Sequence, residues 1–185
     1  MDDSTLHFGD PGYGVIVPFL RGSRPDWEGR WLREIRSWGF DRLEDDHHYI
    51  QWLFPLPVES EVVVAPVLRE GEINEIRSTP QLRAELACSL RQLLAFYGYA
   101  LIDGPELVVV HAPNHAERVS LWMTVENHNY RRISRILQCL LLLGLTEHAG
   151  AFYRRLMIDG ETERGATQIG ALTRWHWRKS VEQRP

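Results

Sequence analysis

Two stretches of the sequence carry polar side chains of the kinds that bind anions or transfer protons. Residues 43–56 read LEDDHHYIQWLFPL and supply four candidate residues, His47, His48, Gln51 and Trp52. Residues 127–137 read NHNYRRISRIL and supply four more, His128, Asn129, Arg132 and Arg135. A guanidinium can clamp a carboxylate or a phosphate through two parallel hydrogen bonds, and a histidine can add a donor or act as a general base.

The second stretch separates polar from apolar side chains if it is helical. His128, Arg132 and Arg135 follow one another at about one turn each, so they project to one side of the helix. The opposite, apolar side is formed by Ile133, Leu137 and Leu140. Two interpretations stay open for the polar stripe: a solvated helix face, or a basic groove near a helix N-terminus that binds a carboxylate or phosphate. Asn129 lies nearer the apolar side, where we expect its amide to satisfy buried backbone groups.

The first stretch places a histidine among apolar side chains if residues 41–53 form one helix. At 100° per residue, His47 falls on the side of Leu43 and Ile50. The interpretation that we favour is a buried, hydrogen-bonded histidine that fixes neighbouring helices, and the alternative is a histidine that contacts a ligand or takes part in catalysis. Metal binding is disfavoured because Asp46, His47 and His48 are adjacent in sequence and do not converge.

Enzyme motifs are poorly represented. The sequence has no P-loop, no Gly-x-Gly-x-x-Gly in a strand–helix unit, no Gly-x-Ser-x-Gly elbow and no His-Glu-x-x-His pair. We therefore predict no catalytic residues, no cofactor and no metal site. The alternative function is an enzyme in which His47 or His128 acts as a general base while Arg132 or Arg135 holds an anionic substrate.

The same two stretches resemble the conserved domain of the opioid growth factor receptor family. Residues 43–56 are similar to that family's LE-x-x-H-x-YIQWLFP block, and residues 127–137 are similar to its HNY-x-RI-x-RIL block. Weaker agreement occurs within residues 19–32, 65–68 and 90–98, so the resemblance covers roughly residues 19–145. An eight-residue identity such as YIQWLFPL makes this resemblance specific.

The resemblance implies a mainly helical domain that binds a peptide or an acidic protein segment. In vertebrates the family name comes from the opioid pentapeptide methionine-enkephalin and from a receptor role at membranes or in the nucleus. Peripheral membrane association is therefore also implied by the resemblance. The chain ends shortly after the domain, and we expect a compact, stand-alone member of microbial type.

Composition and charge narrow the classes of protein to which the chain can belong. Its 185 residues, 44% of them hydrophobic and 25% charged, are typical of one globular domain. A net charge of −4 disfavours a general nucleic-acid binder. We expect a cytoplasmic protein because the N-terminus lacks an apolar signal region and the longest apolar run, residues 139–143, is too short to span a bilayer. Cys88 and Cys139 are expected to be buried, reduced thiols.

Apolar periodicity, caps and breakers predict the elements. Helices are expected over 26–39, 41–53, 70–77, 80–97, 127–143, 146–158 and 168–179. Thr79, Pro80 and Gly98 give the 80–97 helix its start and stop signals. Trp27, Trp31 and Trp38 form a stripe that is more often core than ligand cage, whereas Trp175 and Trp177 cannot both face inward. Residues 57–68 are predicted as an extended loop and 106–111 as a short strand or buried extended segment.

These elements predict a mainly α, single, compact domain of six or seven helices with at most minor strand content. We divide the chain into an N-terminal arm packed on the body (1–25), the helical domain (26–179) and a polar tail (180–185). The sequence predicts no transmembrane segment and carries no signature of an oligomeric state.

Overall fold

A computed structural model describes residues 14–59 and 65–182 of the chain. Within them lie eleven helices and two strands, and the mainly α class is confirmed. The elements, in order, are α1 Ile16–Leu20, α2 Leu32–Ile35, α3 Phe40–Asp45, α4 Ile50–Leu53, α5 Glu70–Ser78, α6 Pro80–Tyr97, β1 Tyr99–Ile102, β2 Val108–His111, α7 His115–Trp122, α8 Asn129–Leu142, α9 Thr146–Gly160, α10 Glu163–Gln168 and α11 Ala171–Glu182. Residues 1–13 of the predicted arm, 60–64 of the predicted loop and 183–185 of the predicted tail lie outside the described residues.

Two of the three longest described helices end where glycine permits a left-handed backbone. Helix α6 has Pro80 in its first turn and is terminated by Gly98 at φ 84°. Gly144, two residues after the end of α8, has the same φ. A residue with a Cβ is strained in this conformation, which is why glycine is the common helix terminator. The predicted bounds of α6 are confirmed, and those of α8 differ only at its ends.

The predicted helix over 26–39 is wrong for its first half. The Asp26 carboxylate accepts hydrogen bonds from the backbone N–H groups of Glu28 and Arg30, and Gly29 has a positive φ. This local turn competes with helix formation, so only the single turn α2 forms. Trp38 is buried, but Trp27 is 45% exposed, so Trp27 does not belong to the core as predicted.

The predicted helix over 41–53 divides into α3 and α4. Asp46 adopts an extended conformation, and its carboxylate accepts the backbone N–H of His48. The helical wheel therefore does not apply across residues 46–49, and His47 and His48 are both exposed. The expectation that His47 is buried is wrong, although its ring does make a hydrogen bond.

The two strands form an antiparallel hairpin that follows Gly98 directly. Tyr99 pairs with His111 and Ile102 pairs with Val108, which confirms the predicted strand near 106–111. Helix α9 packs against β2, and α7 packs against α6. Helices α1, α7 and α10 were missed because each is short or weakly periodic.

One apolar core joins residues from nearly all of these elements. It includes the leucine faces of α6 and α8, the four apolar residues of α1, and Trp177, whereas Trp175 is 50% exposed, as the sequence requires of one of that pair. Cys139 is buried, but Cys88 is exposed, because it lies on the outer side of α6. Among the described residues, no helix combines the length and apolar character needed to cross a bilayer.

Candidate functional site

Arg132 joins the two motif stretches through backbone carbonyls. Its guanidinium is buried and donates to the carbonyl oxygens of Leu43 at 2.8 Å, Glu44 at 3.1 Å and Asp46 at 2.8 Å. The last carbonyls of a helix have no partner within that helix. Arg132 therefore caps the C-terminal end of α3, where a cation is also favoured by the helix dipole.

His47 accepts a further hydrogen bond from the same guanidinium. Its Nδ1 lies 3.0 Å from Nη2 of Arg132. A guanidinium can only donate, so this contact requires Nδ1 to carry no proton and places the proton of a neutral ring on Nε2. His47 then presents a donor, not a free basic nitrogen, to anything that approaches from solvent. This geometry disfavours His47 as a general base.

Asn129 and His128 extend this junction at the start of α8. The buried amide of Asn129 donates to Glu44 at 3.0 Å, in place of the backbone partner expected. The rings of His128 and His47 meet edge to face at a centroid distance of 5.1 Å. Partial burial, with the charge of Arg132 beside it, lowers the pKa of His128. His128 is thus the remaining candidate base of the enzyme alternative.

Gln51 and Trp52 are buried on the other side of the first stretch. With its amide nitrogen turned toward them, Gln51 donates to the carbonyl oxygens of His47 and His48, both at 3.1 Å. Trp52 packs edge to face against Phe19 of α1, with ring centroids 5.2 Å apart. Both side chains are buried in the fold, and their predicted role in ligand binding stays a prediction. His48 is exposed, and its Nδ1 lies 3.0 Å from the Glu28 carboxylate.

Arg135 differs from Arg132 in what surrounds it. Its Nη1 donates to the Phe54 carbonyl oxygen at 3.3 Å, and no carboxylate of a described residue contacts it. Burial lowers the pKa of this guanidinium, which means that its charge is poorly solvated. The predicted stripe of His128, Arg132 and Arg135 is therefore divided: one residue is exposed, one is buried and one lies in a groove.

The groove that holds Arg135 lies between α8, α11 and the segment after α4. Its volume is about 860 Å³. The lining is made of Leu56, Val58, Glu126, Asn127, Tyr130, Arg131, Ser134, Arg135, Gln138, Leu172, Thr173 and His176. Apolar side chains from two sides and polar groups from α8 thus meet in one concavity, the usual composition of a ligand site.

A second cluster was not predicted from the sequence. His111 of β2, His115 of α7 and Asp159 of α9 bring their ligand atoms within 4.8 Å of one another. The His-x-x-x-His spacing was visible in the sequence. The partner Asp159 lies 44 residues further on, and only the packing of α9 on the hairpin reveals it.

Sequence comparisons identify relatives of the chain. The profile of the opioid growth factor receptor (OGFr) conserved region matches residues 31–172. Opioid growth factor receptor-like protein 1 of Mus musculus is 35% identical over 146 residues, which are 77% of this chain and 29% of that protein. The opioid growth factor receptor of Homo sapiens is 35% identical over 127 residues, 68% of this chain and 18% of that protein.

A third relative, opioid growth factor receptor-like protein 1 of Xenopus tropicalis, is 37% identical over 131 residues, 69% of this chain and 24% of that protein. The chain thus spans less than a third of the length of each of these relatives. No solved structure matches it significantly.

Proposed function

Because the chain belongs to the opioid growth factor receptor family through its conserved region, we propose that it is a binding domain that receives a peptide or an acidic protein segment. The site proposed is the groove between α8 and α11. The relatives are named as receptors or receptor-like proteins. Binding of a ligand is the receptor property that a single domain of this size can provide.

The observation that carries the proposal is the half-buried guanidinium of Arg135. A charge removed from water is costly unless it is paired. Among the described residues Arg135 contacts one carbonyl oxygen, at 3.3 Å, and no carboxylate. An incoming carboxylate would pair with the remaining N–H groups in the bidentate geometry that guanidinium favours.

The walls of the groove supply the apolar part of the recognition. Val58 is 56% exposed and Leu172 is 68% exposed, and they line the groove together with the buried Leu56. Burying such side chains against a partner contributes roughly 25 cal/mol for each Å² removed from water. A segment that carries both an apolar side chain and a carboxylate satisfies both features of the groove.

The junction around Arg132 supports the groove from behind. Arg132 donates to the carbonyl oxygens of three residues at the end of α3, Leu43, Glu44 and Asp46. Arg135, three residues later, donates to the carbonyl oxygen of Phe54. The first motif stretch is thereby held along one side of α8. We assign His47, His48 and His128 to the rim of this junction, where a long partner segment would reach them.

The experiment is a calorimetric titration of methionine-enkephalin, as the free acid and as the C-terminal amide, against the full chain. The acid is expected to bind, and the amide is expected to bind at least about 10-fold more weakly because it has lost a charge-assisted hydrogen bond. Arg135→Ala is expected to reduce the affinity for the acid to that for the amide.

Arg154→Ala is the matched control, because Arg154 is an exposed arginine outside the groove. It should bind the acid as the wild type does. Equal affinity for acid and amide in the wild type would contradict the role of Arg135. Absence of binding by both forms would contradict the proposal that this groove takes a short peptide of this kind.

A further inference from the structure

The side chains of His111, His115 and Asp159 converge from three separate elements. Nε2 of His111 lies 3.0 Å and 3.2 Å from the two carboxylate oxygens of Asp159. The two imidazole rings are stacked, with centroids 3.5 Å apart and planes within 10° of parallel. The hairpin register fixes His111 opposite Tyr99, at the end of the sheet nearest α7.

Hydrogen bonds to backbone and side-chain groups already orient two of the three residues. Nδ1 of His115 lies 3.0 Å from the Gly98 carbonyl oxygen, an acceptor, so Nδ1 carries the proton and Nε2 keeps its lone pair. Asp159 is buried and accepts hydrogen bonds from Tyr99 at 2.7 Å and from Arg155 at 2.6 Å. The Gly98 carbonyl, the Tyr99 hydroxyl and the Arg155 guanidinium are thus the kind of outer-shell partners that orient metal ligands.

We propose that His111, His115 and Asp159 bind a divalent transition-metal ion of the zinc class. Two imidazole nitrogens and one carboxylate oxygen suit Zn²⁺, whereas Ca²⁺ and Mg²⁺ prefer oxygen ligands alone. Donors in a tetrahedral zinc site lie about 3.4 Å apart, since each is about 2.1 Å from the ion. The three ligand atoms are within 4.8 Å of one another. No pair therefore has to approach by more than about 1.4 Å to reach the tetrahedral spacing.

Arg155 competes with a metal ion for the carboxylate of Asp159, but this carboxylate has enough acceptor positions for both. A carboxylate offers about four acceptor positions. Tyr99 and Arg155 use two of them, one on each oxygen, and His111 faces the remaining side of both oxygens. The metal ion takes the place of the proton between His111 and Asp159, so the hydrogen bonds from Tyr99 and Arg155 remain. His111 is 45% exposed, which leaves one coordination position open to water.

The test uses the full chain after removal of metal with EDTA and dialysis. Zinc chloride is titrated in competition with a chromogenic chelator, and Co²⁺ is added separately to record visible absorption. The wild type is expected to bind one zinc ion per chain, to show the bands of four-coordinate Co²⁺ and to melt at higher temperature with zinc.

His111→Ala and His115→Ala should each weaken zinc binding at least about 100-fold. Both side chains are partly exposed, so the variants are expected to fold, and circular dichroism verifies this. His148→Ala is the control for adventitious binding by a histidine elsewhere and should leave the affinity unchanged. Absence of stoichiometric zinc binding by the wild type, or unchanged affinity in the double variant His111→Ala/His115→Ala, would overturn the proposal.

Discussion

The Nη1 group of Arg132 donates a hydrogen bond to the carbonyl oxygen of Leu43 at 2.8 Å, across 89 residues of sequence. The same carbonyl accepts the hydroxyl of Tyr49 at 3.0 Å. The C-terminal end of α3 is therefore fixed by one residue from each motif stretch. These two contacts give Tyr49 and Arg132 a structural role that does not depend on a ligand.

Arg132→Ala should destabilise the domain by about 2–4 kcal/mol. The partly buried carbonyl oxygens of Glu44 and Asp46 lose their donor, and that of Leu43 keeps only the Tyr49 hydroxyl. Arg132→Lys should recover only part of this, since one ammonium group cannot reach carbonyls on both sides of the fork. Urea unfolding followed by tryptophan fluorescence measures the free energy of unfolding. Arg154→Ala is the control and should change it by less than about 0.5 kcal/mol. An Arg132→Ala variant as stable as this control would show that the junction is not structural.

Glu72 should be needed for docking of α1 on the body. Its buried carboxylate accepts the backbone N–H groups of Ile16 at 2.7 Å and Val17 at 3.2 Å. Glu72→Ala leaves both donors without a partner and should cost about 2 kcal/mol in the free energy of unfolding. Glu75→Ala, which removes an exposed ion pair with Arg21, should cost less than about 0.5 kcal/mol. Similar losses in the two variants would contradict the capping role of Glu72.

Two glycines with the same φ of 84° provide a matched pair of substitutions. A Cβ on Gly144 would meet its nearest atom at 3.7 Å, so Gly144→Ala should cost only the strain of the left-handed backbone, about 1–2 kcal/mol. A Cβ on Gly98 would lie 2.9 Å from Cα of His115, a backbone atom that cannot rotate away. Gly98→Ala should therefore cost about 3 kcal/mol or more. Equal melting temperatures for the two variants would contradict the close approach of α7 to Gly98.

Much of the helical fold was predictable from local signals. Helix α6 carries a proline start, a glycine stop and an uninterrupted leucine stripe, and every one of these acts within the helix itself. Helix α3 and residues 46–49 were not predictable in the same way. The Asp46 carboxylate accepts the backbone N–H of His48, and the helix ends there. An aspartate within a helical apolar pattern can either continue the helix or end it in this way, and the sequence pattern does not distinguish the two outcomes.

The candidate site was predictable only as a set of residues, because its geometry depends on contacts between distant segments. The spacing of Arg132 and Arg135 placed them on one helix face, but it did not indicate that Arg132 would cap α3 while Arg135 reached Phe54. Asp159 shows the same limit, since no local pattern relates it to His111. The role of Arg135 in peptide binding and the roles of His111 and Asp159 in metal binding remain predictions, which the two titrations described above test.

Leu172→Asp should separate binding from stability in the groove. The Leu172 side chain is largely exposed, so the free energy of unfolding of the variant should be within about 0.5 kcal/mol of the wild-type value. The new carboxylate would repel an acidic partner and remove apolar contact area, and the affinity for methionine-enkephalin acid should fall at least about 10-fold. Leu121→Asp, a similarly exposed leucine outside the groove, is the control and should bind as the wild type does. Equal losses in both variants would indicate binding elsewhere.

The lowered pKa of His128 predicts a specific loss of stability in mild acid. Burial and the charge of Arg132 disfavour the protonated ring in the folded protein, so the unfolded chain binds this proton more tightly. The free energy of unfolding therefore rises with pH. The part that comes from neutral His128 is lost as the pH falls below the pKa of an unfolded histidine, about 6.5. The melting temperature of the wild type should fall between pH 7.5 and pH 5.5, measured with EDTA present so that metal binding does not contribute.

His128→Asn removes the titrating group while keeping a polar side chain at the start of α8. Its melting temperature should fall less steeply over the same pH range than that of the wild type. Part of the decline should persist, because burial also lowers the pKa of His148. His48→Asn is the control, since His48 is exposed and its ring contacts Glu28. If the melting temperature of His128→Asn falls with pH as steeply as that of the wild type, protonation of His128 does not affect the stability of the junction between Arg132 and α3.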